Sequence, residues 1–186
     1  MPTFEIHAVP LPNGSFSPAW FDDDRYLWDE PLLIRTNSLV SGWRTPSLIL
    51  HRPDRGITPV LYNPNAFAVS KKLKEALSHF KELEFLPIQI KDEDVFYVLH
   101  VVASLDLPFG SIAQIPGSPG NNIVDIQAFP ASFNPLPSFF RIRQPSFSAA
   151  GRVGSCVRKI YVNAKAAQTI NELAGDYINA SEVPST

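Results

Sequence analysis

EFLPIQIKDEDVFYVLHVV, residues 84–102, decides the fold. It reads as two strands, EFLPIQI (84–90) and DVFYVLHVV (94–102), joined by the charged turn KDED at 91–94. The second arm is apolar on both faces, which predicts a position inside a sheet rather than at its edge. A hairpin of this kind argues for antiparallel pairing and against a doubly wound parallel sheet.

Immediately before it, AFAVSKKLKEALSHF (66–80) reads as a strand running into a helix. Phe67 and Val69 fit the strand, and Ser70 is a suitable N-cap. Leu73, Leu77 and Phe80 recur at helical spacing, with Ala76 beside them and Lys71, Lys72, Lys74, Glu75 and Lys81 on the remaining surface. IYVNAKAAQTINEL (160–173) repeats the unit. Aligning Val69 with Val162 places Ser70 on Asn163, Leu73 on Ala166, Leu77 on Ile170 and Phe80 on Leu173, so the apolar stripe is expected in both copies. Two copies are too few for a solenoid. They fit either two unrelated strand–helix entries or a pseudo-symmetric sheet carrying two equivalent helices.

The rest of the chain is punctuated by turns. Residues 1–65 hold PLPNGS (10–15) and HRPDRG (51–56), with LLIR (32–35) and SLIL (47–50) as brief strand candidates. From 104 to 137 the sequence is irregular, and NNIVDIQAF (121–129) fits a strand or a short helix. SFFRIR (138–143) alternates as a strand, with Arg141 and Arg143 on the face opposite Phe140 and Ile142. The tail is expected to fray beyond Ile178. The fold class expected is therefore α+β: a single domain over residues 1–186, mostly antiparallel sheet. Two principal helices fall at about 71–82 and 164–175, and a loop-rich N-terminal third (1–65) precedes the strand–helix core (66–178).

Composition sets the outer limits. The 186 residues are 45% hydrophobic and 18% charged, enough apolar material for a proper core. Eighteen are proline, roughly twice the usual share of about 5%, which favours short elements. The net charge of −2 argues for neither nucleic acid nor an anionic membrane as partner. The longest apolar run, VFYVLHVVA (95–103), is too short to span a bilayer, and the N-terminus lacks the basic and apolar regions of a secretory signal. One cysteine, Cys156, permits no internal disulfide. A soluble, reducing, cytoplasmic setting is the expectation.

Catalytic patterns are not apparent. His7, His51, His79 and His100 are scattered, with no metal-ligand spacing. His100 among valines and leucine reads as a hydrogen-bonded core histidine, and His79 as a half-exposed surface residue. PGSPGNN and GRVGSC match neither a nucleophile elbow nor a phosphate loop. No cofactor is implied, and the chain does not read as an enzyme. The competing reading, a hydrolase or transferase, would have to be built on Asp106, His100 or Cys156.

The stretch with most to recommend it as a surface is WFDDDRYLWDE (20–30), five acids against one arginine. Trp20, Phe21, Tyr26 and Trp28 are interleaved with Asp22, Asp23, Asp24, Asp29 and Glu30. Aromatic anchors ringed by charge are the residue types of protein–protein hot spots, and acids steer a basic partner. The alternative is that the aromatics pack inward while the acids face water.

Several of these pieces together resemble a bacterial family first described as a domain of unknown function and since grouped with the immunity proteins of polymorphic toxin systems. The resemblance rests on Val69-Ser70 with Leu73 and Leu77, Phe85-Leu86-Pro87, Tyr97-Val98-Leu99, Leu105-Asp106, Phe140-Arg141 and the Val162 unit. It covers about residues 60–175. Asn163 stands where the family pattern favours serine, and the N-terminal third has no counterpart. The resemblance implies a mixed α/β domain that binds and neutralises a cognate protein toxin domain, and it implies no active-site residues. A structural or scaffolding module is the third class the sequence leaves open.

Overall fold

The computed structural model of the chain describes residues 2–9, 20–22, 33, 35–50, 58–63, 66–90, 95–106, 112–115, 123–126, 135–143 and 159–183. The fold is α+β, dominated by antiparallel sheet, as the hairpin predicts. In chain order the elements are β1 (Thr3–Ala8), β2 (Trp20–Asp22), β3 (Ser47–Leu50), β4 (Val60–Asn63), β5 (Ala66–Val69), α1 (Lys71–Leu77), β6 (Leu83–Ile90) and β7 (Val95–Val101). There follow β8 (Ser104–Asp106), β9 (Ile112–Ile115), β10 (Ile123–Ile126), β11 (Phe139–Arg143), β12 (Tyr161–Asn163), α2 (Ala164–Ala174) and β13 (Ile178–Val183).

A six-stranded sheet runs β2-β3-β6-β7-β5-β4 and a five-stranded sheet β13-β1-β12-β11-β8, with β9 and β10 forming a separate hairpin. All pairs among the described residues are antiparallel except β3 with β6 and β8 with β11. The β6–β7 hairpin sits at the centre of the larger sheet. Its second arm then leads directly into β8 of the smaller one, with the Ala103 carbonyl accepting from the Arg141 N–H at 3.0 Å.

Both faces of β6 and β7 are covered, which explains their unbroken apolarity. Leu83, Leu99 and Val101 join the main core, shared by α1, α2 and both sheets through Phe67, Val69, Leu73, Leu77, Phe139, Val162, Ala166 and Ile170. The alternate positions Leu86, Ile88, Ile90, Phe96 and Val98 form a second cluster with Leu33, Leu61 and Ala68, against which Leu39 and Trp43 pack.

The two strand–helix units are both present, but they belong to different sheets, so no single pseudo-symmetric sheet carries both helices. They meet instead across the shared core. Their caps differ. The Asn163 side chain accepts from the Ala166 N–H at 3.0 Å, whereas Ser70 contributes only its carbonyl, which takes the Lys74 N–H at 2.9 Å.

Four expectations need correction. The first helix ends at Leu77, not near residue 82, because the chain tightens into i→i−3 turns: Ser78 N–H to Glu75 O at 3.4 Å, then Phe80 N–H to Leu77 O at 3.1 Å. Phe80 remains buried and meets Phe139 edge-on at 5.0 Å. In the second helix Leu173, placed in the buried stripe by the alignment, is 44% exposed, and Ala174 is buried in its stead. The segment after Ile178 does not fray: Ile178–Val183 pairs along the whole of β1, burying Ile178, Ala180 and Val183. In residues 32–35 the described Leu33 and Arg35 lie outside any strand. The stretch 121–129, left open by its sequence, supplies β10, and SLIL forms β3 as expected.

Gly175 closes α2 where a side chain has no room, since a Cβ there would lie 2.5 Å from the Asn171 carbonyl oxygen. Exchange of the two leucine-like positions on α2 tests the core assignment. Ile170→Ala should cost about 2–5 kcal/mol in urea unfolding, whereas Leu173→Ala should change stability by no more than roughly 0.5 kcal/mol.

Candidate functional site

Alternation along β6 and β7 puts one ionisable residue from each strand on the face of the second cluster. Glu84 and His100 are direct cross-strand partners in the hairpin register. His100 Nδ1 stands 3.1 Å from Glu84 Oε2, and the two side chains are 0% and 16% exposed. On its other side, His100 Nε2 lies 2.8 Å from the carbonyl oxygen of Arg35. Glu84 Oε2 also accepts the Leu39 N–H at 3.0 Å, and the Ser38 side chain hydrogen-bonds to the same carboxylate.

These contacts fasten residues 35–43 over the sheet as a strap. Farther along, the Trp43 indole N–H donates to the Pro87 carbonyl at 2.8 Å, and the Gln89 N–H to the Pro46 carbonyl at 3.0 Å. Between them the strap makes a short 3-10 turn at Val40–Gly42, whose Val40 is exposed.

The electrostatics follow from burial. His100 is held below its ordinary value, chiefly by burial. The hydrogen bonds to Glu84 and to the Arg35 carbonyl, with the charge of Glu84, oppose that shift, and the Arg141 cation reinforces it. For Glu84 burial pushes upward, but the hydrogen bonds from Ser38, Leu39 and His100 and the charge of His100 prevail, so its carboxyl lies below the usual value. Arg141 was expected on a face opposite the apolar side chains of β11. It does share the side of Phe139, yet it is fully buried. Arg143, on the same side of the strand, is half exposed and pairs with Asp106 at 3.5 Å and the Ser104 hydroxyl at 2.9 Å.

The residues of the alternative catalytic reading are thus engaged separately: His100 with Glu84 and Arg35, Asp106 with Arg143. Cys156 lies outside the described residues. Among the described residues no group of three or more His, Cys, Asp or Glu side chains is arranged to hold a metal ion, and no helix is long and apolar enough to cross a membrane. The chain matches no known protein-family model and no curated protein sequence.

Of the stretch singled out as a surface, Trp20, Phe21 and Asp22 form β2, paired with Leu50, Ile49 and Leu48 of β3. Among the described residues β2 is an edge strand of the six-stranded sheet. Asp23, Asp24, Tyr26, Trp28, Asp29 and Glu30 lie outside the described residues. Sequence reading singled out His100 but missed Glu84 and the burial of Arg141, whose signal was a charged residue embedded in an apolar strand.

Both shifts make acid destabilising. A folded histidine below its ordinary value takes up its proton less readily than the unfolded chain does. Stability should therefore be lost as pH falls beneath about 6.5, and Glu84 adds a further loss below about 4.5. Urea unfolding at pH 7.5 and pH 5.5 should show this decline, and His100→Gln should flatten it. Trp43→Phe, which deletes the indole donor and part of the ring that packs on the second cluster, should cost at least about 0.5–1.5 kcal/mol in the same assay.

Proposed function

We propose that this protein is a cytoplasmic immunity protein that binds and neutralises a cognate bacterial toxin domain, acting as a stoichiometric binder and not as an enzyme. The observation that favours a binder over an enzyme is the use made of the buried ionisable groups. Glu84 and His100 spend their hydrogen bonds on each other and on the strap, so they serve to hold the chain in place. The family resemblance over residues 60–175 supports the same reading.

The recognition surface we favour is the acidic–aromatic stretch Trp20–Glu30, whose first three residues form the edge strand β2. Acids there would speed encounter with a basic partner, and the tryptophans would anchor it. A nuclease toxin, whose substrate groove is basic, fits those acids best.

Co-expression with the toxin domain encoded beside this protein should rescue bacterial growth. Replacing Asp22, Asp23 and Asp24 together by lysine should weaken rescue and slow association, with the unfolding midpoint nearly unchanged. Trp28→Ala should weaken binding by more than about tenfold. Rescue that survives both changes would place the interface elsewhere. Loss of protection on replacing His100 or Asp106, with folding and toxin binding intact, would favour the catalytic reading instead.

A further inference from the structure

Each of the two large sheets ends in strands that have no ladder partner on their outer side among the described residues: β2 and β4 in one, β8 and β13 in the other. Such edges are templates for pairing with another chain, the more so the longer they are. β2 and β8 have three residues each and β4 four, whereas β13 has six. β13 also pairs with β1 along its whole length without a bulge, and it contains neither proline nor lysine. It is the edge that most needs protection.

In an antiparallel ladder, alternate residues turn their N–H and C=O groups toward the neighbouring strand and away from it. The Ile6 N–H points to β12, where it bonds to the Ile160 carbonyl at 3.0 Å, so Ile6 does not exchange bonds with its β13 partner Ala180. Ala180 therefore turns its N–H outward, and Ile178 and Glu182, two residues to either side, do the same. The middle donor of the three is taken. It donates to Asn171 Oδ1 at 2.9 Å, from an exposed position in the last turn of α2. Asparagine is a poor helix former, so α2 gives up some helical stability to carry it there.

Without that tie the outward residues of β13 form a self-complementary set. A second copy laid antiparallel about a two-fold axis at Ala180 would pair the two Ala180 residues with each other, and Ile178 with Glu182 in both directions. Asn179 would then face Ser181, and no like charges would meet.

We propose that Asn171 is the lock on this edge: its side-chain oxygen occupies the Ala180 donor, on which pairing of β13 with a second copy of the chain would centre, and so keeps the protein monomeric. The lock works by position as well as by occupancy, since the amide oxygen lies where the incoming strand's carbonyl would be. A side chain that served only to hold α2 against β13 would leave the oligomeric state unaffected by its loss.

Sedimentation of the full chain from micromolar to millimolar concentration tests this. The wild type and Asn171→Asp, which keeps an oxygen acceptor, should remain monomeric. Asn171→Ala, with a better helix former in place, should fold and sediment at twice the mass. Adding Glu182→Pro should return it to monomer. The N–H lost there faces outward, so the β1 ladder is spared while the two-fold pairing is broken. As a readout that needs no variant to fold, the wild-type Ala180 amide should be protected from hydrogen exchange like those of Asn179 and Ser181, which face β1. A dimeric wild type or Asn171→Asp, an Asn171→Ala chain that stays monomeric, dimers that persist with Glu182→Pro, or a wild-type Ala180 amide that exchanges freely would each overturn the proposal.

Discussion

An imidazole with no exposed surface must find hydrogen-bond partners inside the protein, and the arrangement around His100 follows from that constraint. Its position on β7 is fixed by the hairpin, which sets Glu84 opposite it. The ring's second nitrogen meets the Arg35 carbonyl, which comes from outside the sheet, at 2.8 Å. Once residue 35 is held there, the Leu39 N–H reaches Glu84 and Leu39 and Trp43 cover the apolar face of β6 and β7. A polar pair thus helps to anchor the strap. The acidic–aromatic stretch begins with β2 and ends shortly before this anchored segment in sequence.

The opposite face of the same hairpin packs into the main core. There the two strand–helix units meet, each from its own sheet, with Leu73 and Leu77 contributed by one helix and Ala166, Ala167 and Ile170 by the other. Ile170 is covered along with the alanines of α2, while Leu173 is turned outward. The chain passes from one sheet to the other at the end of β7, where the Val102 N–H bonds to the Glu82 carbonyl and the Ala103 carbonyl to the Arg141 N–H. The buried arginine therefore sits at this crossing, within electrostatic reach of His100.

The hairpin, both helix starts, strands β3 and β11 and the core role of His100 were legible in the sequence, because each depends on local periodicity or on a residue's immediate neighbours. What was illegible depended on partners far along the chain. β1 reads as a turn-rich terminus, yet it lies between β12 and β13, and β13 itself is strand because β1 is there to pair with it. Glu84 was passed over because its partner depends on register, which the two strands alone leave open: pairing of Gln89 with Val95 sets Glu84 opposite His100. Arg141 illustrates the limit of alternation, which assigns a face but not what covers it. The acidic–aromatic stretch was legible as composition, while its role depends on a partner.

The coupling between Glu84 and His100 is the quantity on which this account rests most directly. It is measured by urea unfolding at pH 7.5 of the wild type, Glu84→Gln, His100→Gln and the double variant. If the pair acts as one unit, each single change should destabilise the fold and the double change should fall short of their sum by about 0.5–3 kcal/mol. Losses that add to within about 0.3–0.5 kcal/mol would mean that the two residues hold the strap independently, and would contradict this account.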